Sequence, residues 1–362
     1  MANSGKPVGI KDIAKALNVS IGTVDRALHN RAGVNEKTKA LVQKKAKELG
    51  YHPNITAQAL KLNRRLLIAV VLPKHISHFF DPLRDGIRAA SASAVGVNLT
   101  LDFFEYPRLG TGDFEAFQRA VQKHPDGLIF LPGDLRKYGP LIRKATQSGT
   151  AVMCVGSDAP TTERMGSVSI HASVSGAVAA ELLANVIPSK AEVAIFSGEL
   201  STLDHAEKLR GFAAALAVIA PHLTLLPALE SHERPREAYR QALELMQRKP
   251  YPAGIYVSTA NSMPVIQALE ELKLLGNVKI VTTDLFRELI PHIESGKVLA
   301  TMYQRPFSQG KLALENLLFY LLRERKAQRP TQLAPHVIFR MNLPLFTDQF
   351  GESGIEEFER ET

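Results

Sequence analysis

The spacing of apolar residues changes character along the chain. Near the start, Ile10, Ile13, Ala14 and Leu17 recur at i, i+3, i+4 and i+7 in "IKDIAKAL", the period of one buried face of an α-helix. "NVS" then reads as a short turn, with Ser20 placed to cap a second helix by accepting from a free backbone N–H. In that helix Val24, Ala27 and Leu28 can face inward. "HNRAG" breaks the pattern, and Gly33 suits a positive φ. Asn35 is placed to cap a third helix whose inward residues are expected to be Leu41, Val42 and Leu49. Gly50 ends that helix and Pro53 blocks its continuation. Three short helices with a tight first turn predict a helix-turn-helix unit.

From Leu66 the pattern becomes one of short apolar runs separated by amphipathic segments. The runs "LLIAVVLP", "VNLTLDFF", "GLIFLP", "AVMCVG", "EVAIFSG", "LTLLPALE", "GIYVS", "KIVTTD", "LATMYQ" and "HVIFRM" predict ten strands. "FDPLRDGIRAASASAV" and "NSMPVIQALEELKLLG" are typical of the helices between them. Such alternation implies parallel sheets with right-handed crossovers, an α/β class. Ten strands suit two doubly wound lobes better than one sheet. Ligands of such folds sit beyond the carboxyl ends of strands, and between lobes where there are two.

Composition adds bounds. The 362 residues are 45% hydrophobic and 22% charged, too many for one small core. The single cysteine, Cys154, rules out a disulfide framework within the chain and suits a cytoplasmic setting. "MANSGKPVGIKDIAKAL" has no continuous apolar stretch, so a secretory signal is not expected. No apolar run approaches the roughly 18 residues of a membrane span.

Charge changes the picture more. The first 65 residues hold 13 of the 44 Lys and Arg but only 4 of the 36 acids, so they carry +9 and the rest carries −1. A positive field confined to a small module points to a polyanion partner for that module. The second helix places Ser20, Thr23, Arg26 and His29 along its polar side. Ser20, Thr23 and His29 can reach phosphate oxygens, and Arg26 can donate two bonds to guanine O6 and N7. The competing reading is a small bundle with solvated polar residues.

"VGIKDIAKALNVSIGTVDRALHNRAGVNEKTKALVQKKAKELGYHPN" resembles the headpiece of the lac-repressor/galactose-repressor family throughout its length. That family's two residues after the Ser of "GVS", and the Arg of "TVSR", read bases, which implies roles for Ile21, Gly22 and Arg26. Gly22 has no side chain to read an edge, so readout leans on Ile21 and Arg26. Asp25 replaces a Ser; it either braces Arg26 or accepts from cytosine N4. The resemblance also implies a hinge helix in "HPNITAQALKLNRR". It would form on the operator, pair with its twin and enter the minor groove, with Asn54, Thr56, Ala57 and Gln58 along the groove. Leu60 would wedge open a base step. A helix so short is marginal alone in water; the competing reading is a plain linker.

Most of residues 66–345 is similar to the periplasmic sugar-binding fold, especially its ribose-binding branch. This implies a headpiece over 1–53, a hinge over 54–65 and a sensor over 66–362. The near lobe would take about 66–165 and 300–335, and the far lobe about 166–298 and 336–348. The resemblance places that branch's two stacking aromatics on Phe79 and Phe80, and an Asn on Ser77. Its hinge-side Asp and Gln fall on Asp284 and Gln304, its second-lobe Asn on Asn261, and its Arg on Lys208. A far-lobe aromatic falls near His232, and Ser157 and Asp158 lie near the place of an Asp–Arg pair. Aromatic faces against an apolar sugar face, with fixed Asp, Asn and Gln for hydroxyls, suit a small sugar or polyol effector. Five histidines near the cleft, His75, His78, His171, His205 and His232, raise the alternative of an anionic or modified sugar.

The expectation is therefore a cytoplasmic, homodimeric regulator of transcription that binds double-stranded operator DNA, with no membrane partner, no cofactor, no bound metal and no catalytic residues. The dimer contacts would lie near Asp81 to Val95. The "HISH" pair His75 and His78 lacks a third metal ligand nearby in sequence. No phosphate-cradling G-x-x-x-x-G-K-[ST] or nucleophile-elbow G-x-S-x-G occurs. Two readings stand beside this one: a solute-binding receptor without DNA function, and an α/β enzyme using Asp284 at a strand end.

Overall fold

A computed structural model describes residues 10–28, 33–49, 65–322 and 329–347. They form two compact units, divided near Arg64. In the first, α1 (Ile10–Leu17), α2 (Ile21–Leu28) and α3 (Glu36–Glu48) pack around Ile13, Ala14, Val24, Ala27, Val42 and Ala46, all buried. Asn18 takes a positive φ of 51° in the turn between α1 and α2. Ser20 Oγ accepts from the Thr23 N–H at 3.0 Å, and Asn35 Oδ1 accepts from the Thr38 N–H at 2.8 Å. Both caps fall where the sequence placed them.

The third helix departs from expectation. Val42 and Ala46 set its inward stripe, while Leu41 is 52% and Leu49 37% exposed. One residue around an α-helix is a 100° rotation, which carries Leu41 off that stripe. Leu49 lies just beyond the last residue of α3.

The second unit contains two sheets. The first has the order β12-β5-β4-β3-β1-β2, built from β1 (Leu66–Pro73), β2 (Leu99–Tyr106), β3 (Gly127–Phe130), β4 (Ala151–Val155), β5 (Gly166–Ile170) and β12 (Thr331–Leu333). All its pairings are parallel. The second has the order β13-β11-β10-β9-β6-β7, with β8 also paired to β6. Its strands are β6 (Ala191–Ser197), β7 (Leu223–Leu225), β8 (Leu229–Glu230), β9 (Gly254–Val257), β10 (Lys279–Thr283), β11 (Ala300–Tyr303) and β13 (His336–Ile338). Only β13 runs antiparallel. In each sheet the strand order reverses beside the first strand, at β1/β3 and at β6/β9, the switch points beyond which ligands sit. The chain passes between the sheets after β5, after β11 and after β12.

Two strand assignments correct the expected lobe boundaries. β5 pairs with β4, Met153 opposite Gly166, and so belongs to the near lobe. β11 pairs with β10, Val281 opposite Ala300, and belongs to the far lobe. "GSVSI" and "TQL" were not among the expected strands because their serines and polar residues mask the apolar period; in β5 Ser167 and Ser169 are nonetheless buried. "LTLLPALE" is two short strands, β7 and β8, rather than one.

Each lobe is tightened by a helix pair in backbone contact. In the near lobe α4 (Ser77–Ser93) meets α12 (Pro306–Leu322), and in the far lobe α7 (Ala172–Val186) meets α8 (Leu203–Ile219). A Cβ on Gly86 would lie 2.0 Å from the Phe307 carbonyl oxygen, and one on Gly310 1.9 Å from that of Leu83. Gly176 stands in the same relation to Lys208 at 2.0 Å, and Gly211 to Ser173 at 1.9 Å. Only glycine permits that approach. Gly176→Ala is therefore expected to lower sensor stability by about 1–3 kcal/mol through overpacking, read as a lower urea midpoint; an unchanged midpoint would contradict the backbone contact.

Candidate functional site

The first candidate surface is α2. Val24 and Ala27 are buried, while Ser20, Ile21, Gly22 and Arg26 are exposed and Thr23 is half-buried. The Ser20 and Thr23 hydroxyls are 2.8 Å apart and bond to one another. The Arg26 guanidinium lies over Gly22, its Nη1 3.6 Å from where a Cβ would stand. A Cβ at Gly22 would meet that guanidinium at an ordinary van der Waals distance, so Arg26 does not itself require glycine there. His29, Asn54, Thr56, Ala57, Gln58 and Leu60 lie outside the described residues.

The second candidate site is a cleft at the carboxyl ends of the strands of both sheets. Its near-lobe wall carries Pro73, Ile76, Phe79, Phe80, Leu109 and Leu131; Gly156 and Ser157 follow β4. Phe79 and Phe80 meet edge to face with centroids 4.9 Å apart, and both line the cleft. The far-lobe wall is polar, with Thr202, Asp204, His205, Lys208, Glu233, Thr259 and Gln304.

Lys208 is 1% exposed. Its Nζ donates to Asp204 Oδ2 at 2.7 Å, Gln304 Oε1 at 2.7 Å and the Ser258 carbonyl at 3.3 Å. Burial works to remove the ammonium charge, but the carboxylates of Asp204 and Asp284 and the Tyr256 hydroxyl outweigh it and hold the group above its ordinary value. Gln304 in turn donates from its backbone N–H (3.2 Å) and Nε2 (2.7 Å) to Asp284. Burial raises the Asp284 carboxyl to about 6, opposed by the Gln304 bonds and by Lys208. Asp284 does not line the cleft; it stands one hydrogen bond behind Gln304.

Glu233 follows β8 and is 9% exposed. It accepts from the Thr259 hydroxyl at 2.8 Å and fills the space over Gly198, where a Cβ would fall 1.7 Å from Oε1. His205 Nδ1 accepts from the Glu199 N–H at 2.9 Å, which leaves Nε2 as the protonated nitrogen, 3.5 Å from Glu233. Across the lobes, Ser157 Oγ accepts from the Asp204 N–H at 3.2 Å. His78 donates from Nε2 to the Ala260 carbonyl at 3.0 Å and packs on Phe286 with centroids 4.2 Å apart. Burial lowers the pKa of His78.

Of the ligand residues expected from sequence, Phe79, Phe80, Ser157, Lys208 and Gln304 line this cleft. Four are elsewhere. Ser77 lines a separate hollow with His78, Phe286 and Tyr303. Asp158 is turned away and bound to Arg164, whose Nη2 donates to Oδ2 at 2.7 Å. His232 is held by Glu199, Nδ1 to Oε1 at 2.9 Å. Asn261 is half-buried beside Ala260 without lining the cleft. Sequence reasoning did not assign Arg108, Leu109, Asp204, Glu233 or Thr259. Asp204 had a readable signal, standing four residues before Lys208 on one helix. The metal-ligating side chains that converge among the described residues are Glu199, Glu230 and His232, with donor atoms within 4.8 Å of one another, rather than His75 and His78. No described helix is long and apolar enough to cross a membrane.

A small helical module joined to a two-lobed α/β unit with a cleft between its lobes is the architecture of a ligand-binding fold carrying a helix-turn-helix. Residues 68–325 match the model of the periplasmic binding protein domain, and residues 9–54 match that of bacterial regulatory proteins of the lacI family. The chain belongs to the family with a periplasmic binding protein domain, which takes up its larger part, and residues 9–54 carry a lacI-family helix-turn-helix domain. It is 33% identical over 156 residues to the HTH-type transcriptional regulator MalR of Streptococcus pneumoniae, a match covering 41% of this chain and 46% of that one. The match thus spans under half the length of that relative. It is 24% identical to catabolite control protein A of Priestia megaterium, covering 92% of this chain and 99% of the other. Among solved structures it is similar to an ABC-transporter solute-binding protein from Burkholderia graminis in complex with D-arabinose (TM-score 0.70, 21% identity, 77% of this chain and 96% of that one). The glucose-galactose binding protein GanP from Geobacillus stearothermophilus has a TM-score of 0.70 and 23% identity, covering 78% and 100%. At these identities the likeness establishes the fold.

The Asp284 carboxyl gives a pH signature. Its folded pKa of about 6 exceeds the ordinary 3.8, so the folded state binds this proton more tightly. Its contribution to stability is fully present below about pH 4 and is lost as pH rises through 6. Asp284→Asn removes that loss. The variant's urea midpoint relative to wild type is expected to rise between pH 4 and 6 and to level off above 7; a difference independent of pH would contradict a buried, titrating carboxyl.

Proposed function

We propose that this chain is a cytoplasmic, sequence-specific DNA-binding regulator of transcription, acting as a homodimeric repressor whose operator affinity is set by a small sugar or polyol held between the lobes. The observation that carries the proposal is the division of α2 into a buried stripe, Val24 and Ala27, and an exposed face with Ile21 and Arg26, within the segment that holds all the net positive charge. A solvated bundle gives no reason for that coincidence. The lacI-family match over 9–54 and relatives named as transcriptional regulators support the same reading.

Arg26 acts as the principal base reader, with Ile21 in apolar contact and Ser20 and Thr23 on phosphates. Asn54, Thr56, Ala57, Gln58 and Leu60 act in the minor groove, where an inserted leucine kinks the duplex. In the cleft, Phe79 and Phe80 cover an apolar sugar face. Closure of the lobes around the ligand, through contacts such as Ser157 with Asp204 and His78 with Ala260, biases whether the hinge helices of two copies can pair.

Selection of duplexes from random-sequence DNA by the full chain tests this. An enriched, nearly palindromic site is expected, with binding that weakens steeply with salt. Arg26→Ala is expected to weaken the selected site by roughly 10- to 100-fold and to relax preference at one position per half-site. Failure to enrich any duplex would instead favour the solute-binding receptor that the sensor's fold resembles.

A further inference from the structure

The saturation of Lys208 reassigns the specificity of the cleft. An ammonium has three protons, and those of Lys208 are directed at Asp204 Oδ2, Gln304 Oε1 and the Ser258 carbonyl. With 1% exposure, it has no donor left for a ligand. Gln304 is committed in part, its Oε1 accepting from Lys208 and one Nε2 proton donated to Asp284. The cation expected to hold the ligand is instead an internal strut.

Asp204 is the opposite case. Its Oδ2 is held by Lys208, while its Oδ1 is buried without a hydrogen-bond partner among the described residues. Asp204 lines the cleft in the first turn of α8. A buried carboxylate oxygen without a donor is costly, and a ligand hydroxyl can supply that donor. Glu233 stands on the same wall, held by the Thr259 hydroxyl. Asp204 and Glu233 on this wall, with Lys208 beside them and Arg108 from the near lobe, give the cleft two formal charges of each sign, so it offers acceptors without a net call for an anion.

We infer that Asp204, and not Lys208, is the residue that selects the effector, its Oδ1 accepting a hydroxyl proton of a neutral polyol while Lys208 positions the carboxylate. This rests on the effector-binding reading above. It sets a neutral ligand against the anionic or modified sugar that the five histidines raised: of these His205 and His232 are already bound to Glu199, while His75 lines the cleft.

The test uses the full chain, with calorimetric titration of D-ribose, D-arabinose, D-galactose and myo-inositol, D-glucose 6-phosphate as the anionic probe, and then the monodeoxy forms of the tightest neutral binder. In Asp204→Asn the amide oxygen can still accept from Lys208, which turns the NH2 group into the place of Oδ1 and replaces a charged acceptor by a neutral donor. Affinity is expected to fall about 10- to 100-fold, with thermal unfolding confirming the fold. One deoxy form is expected to bind wild type at least about 10-fold more weakly, yet to differ less than about twofold from its parent in Asp204→Ala. Lys208→Met, whatever it does to overall affinity, is expected to keep that deoxy penalty. Loss of the penalty in Lys208→Met with retention in Asp204→Ala would overturn the inference, as would tightest binding of D-glucose 6-phosphate; both leave an effector site standing. No binding by any of these probes would overturn the effector reading and the inference with it.

Discussion

One buried ammonium organises the larger part of this protein. Lys208 lies where α8 passes the ends of β9 and β11, and its three hydrogen bonds reach one side chain of its own helix, one carbonyl after β9 and one side chain after β11. A charge so deeply buried is tolerated only when paired and fully hydrogen-bonded. The backbone contact between Gly176 and Lys208 itself fixes the height of α8 above its neighbour. The floor of the cleft, its polar wall and the Gln304 crossover between lobes are therefore set by one interaction. Asp284 extends it by a further hydrogen bond toward the end of β10.

The two units divide the electrostatic work. The headpiece concentrates cationic charge on a small fold whose core is six buried aliphatic residues. The sensor carries almost no net charge, and its cleft charges are matched within the protein. In the proposed function, that separation lets the chain be drawn to a polyanion by one end while the other discriminates among small ligands by hydroxyl geometry. A long-range field governs the first process and is screened by salt. Short, desolvated hydrogen bonds govern the second and are far less sensitive to it.

Much of this was legible in the sequence, for physical reasons. The helical period of Ile10, Ile13, Ala14 and Leu17 and the caps at Ser20 and Asn35 are local signals, and all appear in the fold. Strands with uniform apolar runs were equally plain. β5 escaped because buried serines interrupt its pattern, and its lobe follows from pairing with β4, a contact that periodicity does not encode. Phe79, Phe80, Lys208 and Gln304 were found through family resemblance, but resemblance transfers a position without its partners. It carried over a ligand-holding cation at Lys208 when the acceptors of this chain already saturate it. It overlooked Asp204, whose proposed role depends on an oxygen left unpaired by the tertiary structure. Asp158 and His232 failed for the same reason, being claimed by Arg164 and by Glu199.

The central claim is that a cationic reader of duplex DNA and a charge-balanced sugar sensor act on one another in a single chain. Fluorescence anisotropy of a labelled, selected duplex, titrated with the full chain across a salt series with and without a sugar that thermally stabilises the sensor, tests it most directly. The account predicts affinity that falls steeply with salt and is displaced severalfold by saturating sugar at every salt concentration. Salt-dependent binding that is identical with and without the sugar would contradict it.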